Sequence, residues 1–133
     1  MGARVYFDTA PLIYAVEGVE PYRSRLEPFF AGEHAKVASS LSLTECLVRP
    51  MSLSDHALVE AFEALLLHTE FEHVVLDATV CRHAAKLRAE HRLSTPDALH
   101  AASALSARCD VFVTNDAVFR RLSGLSVVLV EEL

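Results

Sequence analysis

The sequence predicts an α/β fold: a central parallel sheet of about five strands with helices on both faces. Three observations predict it. Short, nearly all-apolar runs recur along the chain, as strands buried on both faces do. Segments with apolar residues three and four apart lie between them. Every connection is long enough for the crossover that parallel pairing requires.

Taken in order, RVYF (Arg4–Phe7) is the first strand and runs straight into Asp8. Thr9, Ala10 and Pro11 open a helix through Glu17, with Leu12, Ile13 and Val16 inward, and Gly18 ends it. An amphipathic segment follows from Pro21 to Ala31, where Pro28 is expected to kink or divide the helix. KVAS (Lys36–Ser39) is the second strand, and the serines after it lead into a helix holding Glu45 that should end before Pro50. Leu53 to Thr69 is plainly helical, and HVVL (His73–Leu76) is the third strand. Asp77 reads as N-cap of the helix Ala78–Arg92.

LSTPDALHAASALSA (Leu93–Ala107) then opens a mostly buried helix, with Thr95 as cap, Pro96 at the first turn and Asp97 in the positive end of the dipole. Val111–Val113 is the fourth strand. Thr114, Asn115 and Asp116 lead into a short helix that stops at Gly124, and Val127–Val130 closes the sheet.

A chain of 133 residues is one domain, able to bury roughly 70% of its unfolded surface without staples. There is no internal repeat or linker to divide it. Three cysteines form no C-x-x-C pair; an odd count suits a reducing compartment, with the thiols as small apolar filler. No apolar run approaches a membrane span and no leader peptide is expected, so the expected location is the cytoplasm. The seven histidines form no zinc-type cluster and read mainly as helix-surface residues.

Four acids occupy the same kind of place. Asp8 follows the first strand, Glu45 lies just inside the helix after the second, Asp97 opens its helix and Asp116 follows the fourth strand. Each has a purely structural account. Asp8 or Thr9 serves as an N-cap, Ser42-Leu43-Thr44-Glu45 fits a capping box, and Asp116 caps the helix it precedes. In a parallel sheet, however, the carboxyl ends of the strands share one edge, and ligands bind in the crevice there. Carboxylates gathered on that edge repel one another. A divalent cation relieves the repulsion, and hard oxygen donors select Mg²⁺ or Mn²⁺ over zinc.

The motifs VYFDTAPLIYAVE, SLTECLVRP, LSTPDALHAASAL and VFVTNDAVF resemble those of PIN-domain ribonucleases, most closely the VapC-type toxins of bacterial toxin–antitoxin pairs. The resemblance spans nearly the whole chain, in order and at suitable spacing, and implies a PIN-like three-layer domain over residues 1–133. It implies that Asp8, Glu45, Asp97 and Asp116 are the catalytic, metal-binding carboxylates. Asp8 and Asp97 would be the central ligands, with Glu45 and Asp116 completing the site. Thr114 matches the family's small hydroxyl residue beside the site; Asn115 and Thr9 are supporting candidates, Thr9 as a cap rather than a ligand.

The implied reaction is Mg²⁺- or Mn²⁺-dependent hydrolysis of RNA phosphodiester bonds, leaving 5′-phosphate and 3′-hydroxyl ends. The implied partners are an RNA substrate, a small antitoxin that covers the site, and a second copy of the chain. Leu12–Val16, Phe29–Phe30 and Leu53–Leu67 offer apolar helix surface for either protein interface, or equally for the core.

A net charge of −6 argues against a polyanionic partner, but two divalent ions would offset four of those six charges. Arg23, Arg25, Arg49, Arg82, Arg88, Arg92, Arg120 and Arg121 are candidates for meeting RNA locally, each equally a solvated surface charge. Arg49 is also placed to pair with Glu45 one helical turn away. His100, one turn after Asp97, reads as a packing or supporting group rather than a general base, since a metal would already activate the water.

Competing enzyme classes fit less well. A haloacid dehalogenase phosphatase needs a second acid where Ala10 stands, and a receiver domain needs an early acidic pair. Dinucleotide, P-loop and G-x-S-x-G motifs are absent from a chain with only four glycines. The remaining alternative is a non-catalytic PIN-fold module that binds RNA or a partner.

Overall fold

The computed structural model describes residues 2–133. Five strands, β1 (Arg4–Phe7), β2 (Ala35–Ser39), β3 (Glu72–Val74), β4 (Val111–Thr114) and β5 (Ser126–Leu129), form one sheet in the order β3-β2-β1-β4-β5. All four pairings are parallel. The expected α/β fold is present, with β1 at its centre.

Strand alternation sends side chains to two cores. Tyr6, Val37 and Phe112 face one side, under α5 (Ala78–His91) and α6 (Thr95–Ser106), where Val80, Ala84, Leu87, Ala98 and Ala101 are buried. Val5, Phe7, Ala38 and Val113 face the other, against α1 (Thr9–Glu17), α2 (Tyr22–Ala31), α3 (Ser40–Ser52) and α4 (His56–Leu67). The small residues of α6 let it lie directly on the sheet, and four of its alanines are almost fully buried. The result is the three-layer arrangement.

Several local expectations are corrected. α2 runs without division through Pro28, whose missing N–H removes a single hydrogen bond. α3 likewise passes Pro50 and ends at Ser52; the buried ring sits within the last turn, where one lost bond matters least. The cap of α6 is Ser94, not Thr95: its hydroxyl accepts the Asp97 N–H at 3.2 Å. Thr95 instead receives a hydrogen bond from Arg88. The segment after Asp116 is a 3-10 helix, Ala117–Arg121.

Cys46 and Cys109 are buried, and desolvation pushes both thiols up to about 12, as apolar filler requires. Cys81 is exposed and is not filler. Asp77 caps α5 as expected, accepting from Val80 N–H at 2.9 Å. Gly18 closes α1 in the left-handed conformation (φ 70°) that a glycine adopts without strain.

The two edges of the sheet differ in chemistry. At the amino edge, Arg4 is neutralised and fully engaged: its N–H donates to Asp110, its Nε to the Ala107 carbonyl at 2.9 Å, and its guanidinium to Glu72. At the carboxyl edge, by contrast, no lysine or arginine pairs with the candidate acids among the described residues.

Candidate active site

Register places Asp8 and Thr114 side by side. Phe7 pairs with Val113, and the Asp8 N–H continues the ladder to the Val113 carbonyl at 2.9 Å. Both residues therefore leave their strands at one level. The Thr114 hydroxyl donates to Asp8 Oδ2 at 2.7 Å and accepts the Asp116 N–H at 3.0 Å. Asp8, and not Thr9, is the cap of α1, its Oδ1 accepting the Thr9 N–H at 2.9 Å. Asp116 caps its 3-10 turn through Val118 N–H.

Glu45 is not part of a capping box. That role belongs to Ser39 and Ser42, whose side chains and backbone N–H groups bond reciprocally. Glu45 is thus left free in the second turn of α3, and Oε1 accepts the Thr9 hydroxyl at 2.6 Å and His100 Nε2 at 2.7 Å. The His100 bond, helped by Thr9 and opposed by burial, holds the Glu45 carboxyl below its ordinary range. An ionised carboxylate only accepts, so the Nε2 atom facing Glu45 carries a hydrogen. Arg49 makes no ion pair with Glu45 among the described residues.

His100 is 2% exposed, as its reading as a packing or supporting group requires. Its Nδ1 lies 2.7 Å from the Tyr6 hydroxyl, and the two rings meet edge to face. The Tyr6 hydroxyl also bonds Ser39 Oγ at 2.9 Å; burial drives its pKa far up, so it stays neutral. The Nε2 atom is 3.5 Å from Asp8 Oδ1 as well, so one imidazole nitrogen faces carboxylates from β1 and α3.

Asp97 stands in the first turn of α6. Burial above all raises its carboxyl above the ordinary range; the Ser94 hydrogen bond opposes this, the negative charges of Asp8 and Asp116 add to it, and His100 lowers it least. These charges act on one another across three separate junctions of the chain. Among the described residues, no lysine or arginine forms an ion pair with any of the four acids. Asn115 is turned the other way, its amide donating to the Tyr14 hydroxyl at 2.7 Å.

The fit to a divalent cation is one of donor chemistry and charge rather than of a finished cage. The donors are hard oxygens from four segments, and the repulsion Asp97 feels from Asp8 and Asp116 is of the kind a cation removes. Among the described residues, no group of three or more His, Cys, Asp or Glu side chains is already arranged around a common point.

Sequence reasoning missed Tyr6 and Ser39 as members of the network beneath the acids. Their signal was a hydroxyl at each of two positions in otherwise apolar strands. Of the candidate arginines, Arg120 pairs with Glu132, while Arg23 and Arg25 donate to the Ala15 and Glu131 carbonyls. Arg88 is held by Thr95 beside the turn that carries Asp97. Of the apolar surfaces, Leu12, Phe62 and Leu66 belong to the core, whereas Leu53 and Leu67 remain exposed. No helix among the described residues is long and apolar enough to cross a membrane.

The family model of the PIN domain matches residues 5–125. Solved structures similar to this chain include a toxin–antitoxin complex from Klebsiella pneumoniae (20% identity, TM-score 0.75, covering 95% of this chain and 97% of that one). Another is DNA-bound VapBC from Salmonella typhimurium, at 22% identity and TM-score 0.73, covering 97% and 99%. A third is FitAcB from Neisseria gonorrhoeae, at 14% identity and TM-score 0.75, with the same coverage. These identities speak to the shared fold. No curated protein matches the sequence significantly.

Proposed function

The chain belongs to the PIN-domain family, and from that premise we propose that it is a Mg²⁺- or Mn²⁺-dependent endoribonuclease, the toxin of a toxin–antitoxin pair. One observation carries the reading: Asp97 feels the charges of Asp8 and Asp116, and among the described residues no lysine or arginine pairs with any of them, His100 being the basic group beside Asp8. Such a cluster is costly to hold together unless a cation occupies it.

Asp8, Glu45, Asp97 and Asp116 are the residues that would hold the ion. The chemistry a divalent ion would supply there is a lowered pKa for a bound water and an offset to the charge on the phosphate. The chain's own contribution is placement. Thr114 aims Asp8 and carries the backbone of Asp116, Ser94 starts the turn that presents Asp97, and Thr9 with His100 orients Glu45. Asp8 and Asp97 are the central ligands in this reading.

The partners follow from the same premise. The K. pneumoniae neighbour is a toxin–antitoxin complex, and the S. typhimurium one is bound to DNA. A cognate antitoxin, a homodimeric state and a cytoplasmic site of action are proposed here by likeness, with all of residues 1–133 as one domain. The test is incubation of the purified chain with RNA in Mg²⁺ or Mn²⁺, with and without EDTA. Metal-dependent fragments ending in 5′-phosphate support the reading. RNA binding without cleavage under either ion supports the non-catalytic module instead.

A further inference from the structure

Glu45 differs from the other three acids in how its two oxygens are used. Oε1 receives the Thr9 hydroxyl at 2.6 Å and the His100 Nε2–H at 2.7 Å. A carboxylate oxygen offers two lone-pair sites, so Oε1 is saturated. Oε2 has no hydrogen-bond partner among the described residues. The donors are themselves fixed: His100 is buried with Nδ1 tied to Tyr6, and Thr9 sits in the first turn of α1 beside Asp8.

We propose that Thr9 and His100 are positioning residues that leave Glu45 a single oxygen for a metal, biasing the centre toward Mg²⁺ and Mn²⁺ and against Ca²⁺. This rests on the metal-dependent reading above. Ca²⁺ takes about six to eight oxygens and readily draws in both oxygens of one carboxylate. Mg²⁺ demands a near-ideal octahedron, keeps several waters, and is bound through one or two carboxylates. A glutamate with one oxygen locked suits the smaller ion.

Asp8 is held differently, each of its oxygens accepting one protein hydrogen bond, Oδ1 from the Thr9 N–H and Oδ2 from the Thr114 hydroxyl, so each keeps a free lone pair and the bias rests on Glu45. Releasing Oε1 of Glu45 frees that side chain to chelate through both oxygens, which favours the larger ion.

The experiment measures dissociation constants for Mg²⁺, Mn²⁺ and Ca²⁺ by isothermal titration calorimetry on the full chain. It compares the wild type with Thr9→Val, His100→Leu and His100→Gln, each checked for folding by circular dichroism. The ratio of the Ca²⁺ to the Mg²⁺ constant should fall by about tenfold in Thr9→Val and His100→Leu, the lower end of effects seen for groups that orient metal ligands. It should return toward wild type in His100→Gln, whose amide still donates.

A purely structural His100 would weaken all three ions alike. An unchanged ratio in the folded variants therefore overturns the proposal. Thr9→Val decides alone if His100→Leu does not fold. A wild type that cleaves RNA with Mg²⁺ while its variants keep the ratio sinks this inference only; a wild type that binds none of the three ions sinks the nuclease reading with it.

Discussion

The Thr114 hydroxyl, at the end of β4, donates to Asp8 Oδ2 across 2.7 Å and accepts the Asp116 N–H across 3.0 Å. One buried hydroxyl thus joins two acids that lie 108 positions apart in the sequence. Thr114→Val keeps the shape and removes both bonds. It should cost about 1–3 kcal/mol in thermal or urea unfolding, the usual loss when a buried polar group is orphaned. RNA cleavage should fall roughly 10–100-fold, and Thr114→Ser should restore most of both.

Asp97 and Glu45 should respond to pH in opposite senses. Burial and the Asp8 and Asp116 charges raise the folded pKa of Asp97, so its ionisation works against folding. That cost is absent below the unfolded value, about 3.9, and complete above the raised folded value. Asp97→Asn should therefore raise the melting temperature at neutral pH, with the gain vanishing as pH falls to about 3.9. Glu45 is held low by His100, so it stabilises the fold above its unfolded value of about 4.3. Glu45→Gln should lower the melting temperature at neutral pH, and the loss should shrink as pH drops through the folded value. Melting curves of both variants from pH 3 to pH 8 read these signs directly.

The N-terminus of α6 offers a test of which residue holds it. Ser94 accepts the Asp97 N–H, whereas Thr95 only receives Arg88. Ser94→Ala should cost about 1 kcal/mol of stability and loosen the turn that presents Asp97. Thr95→Val leaves the capping bond in place, so in chemical denaturation it should cost less than Ser94→Ala.

Much of this fold was legible because its three central strands, β1, β2 and β4, are short, mostly apolar and buried on both faces, which leaves little ambiguity of pattern. RVYF, KVAS and VFV each appear where the sequence places them. The carboxyl-edge acids were legible for the same reason, since a strand end is easy to see. What misled were local motifs with two equally sound solutions. Ser42 stands at the right spacing from Glu45 for a capping box, yet Ser39 captures Ser42, and only the packing of α3 on α6 gives Glu45 its other partner.

Prolines misled in a similar way. Pro28 and Pro50 each cost one hydrogen bond, and the packing of their helices outweighs it. His100 could not be placed by spacing alone. A helix buried on most sides gives a polar residue no distinctive periodicity, and its partners Tyr6 and Glu45 are 94 and 55 positions away.

The most direct test of the whole account is RNA cleavage in Mg²⁺ or Mn²⁺ by the unaltered chain beside Asp8→Asn and Asp97→Asn, with a thermal melt of each. The account predicts cleavage by the unaltered chain and a loss of about 100-fold or more in both variants, since a bound ion supplies several kcal/mol of transition-state charge stabilisation. Both variants should remain folded, because each removes a charge from a repelling cluster. Cleavage at an undiminished rate by two folded variants would contradict it.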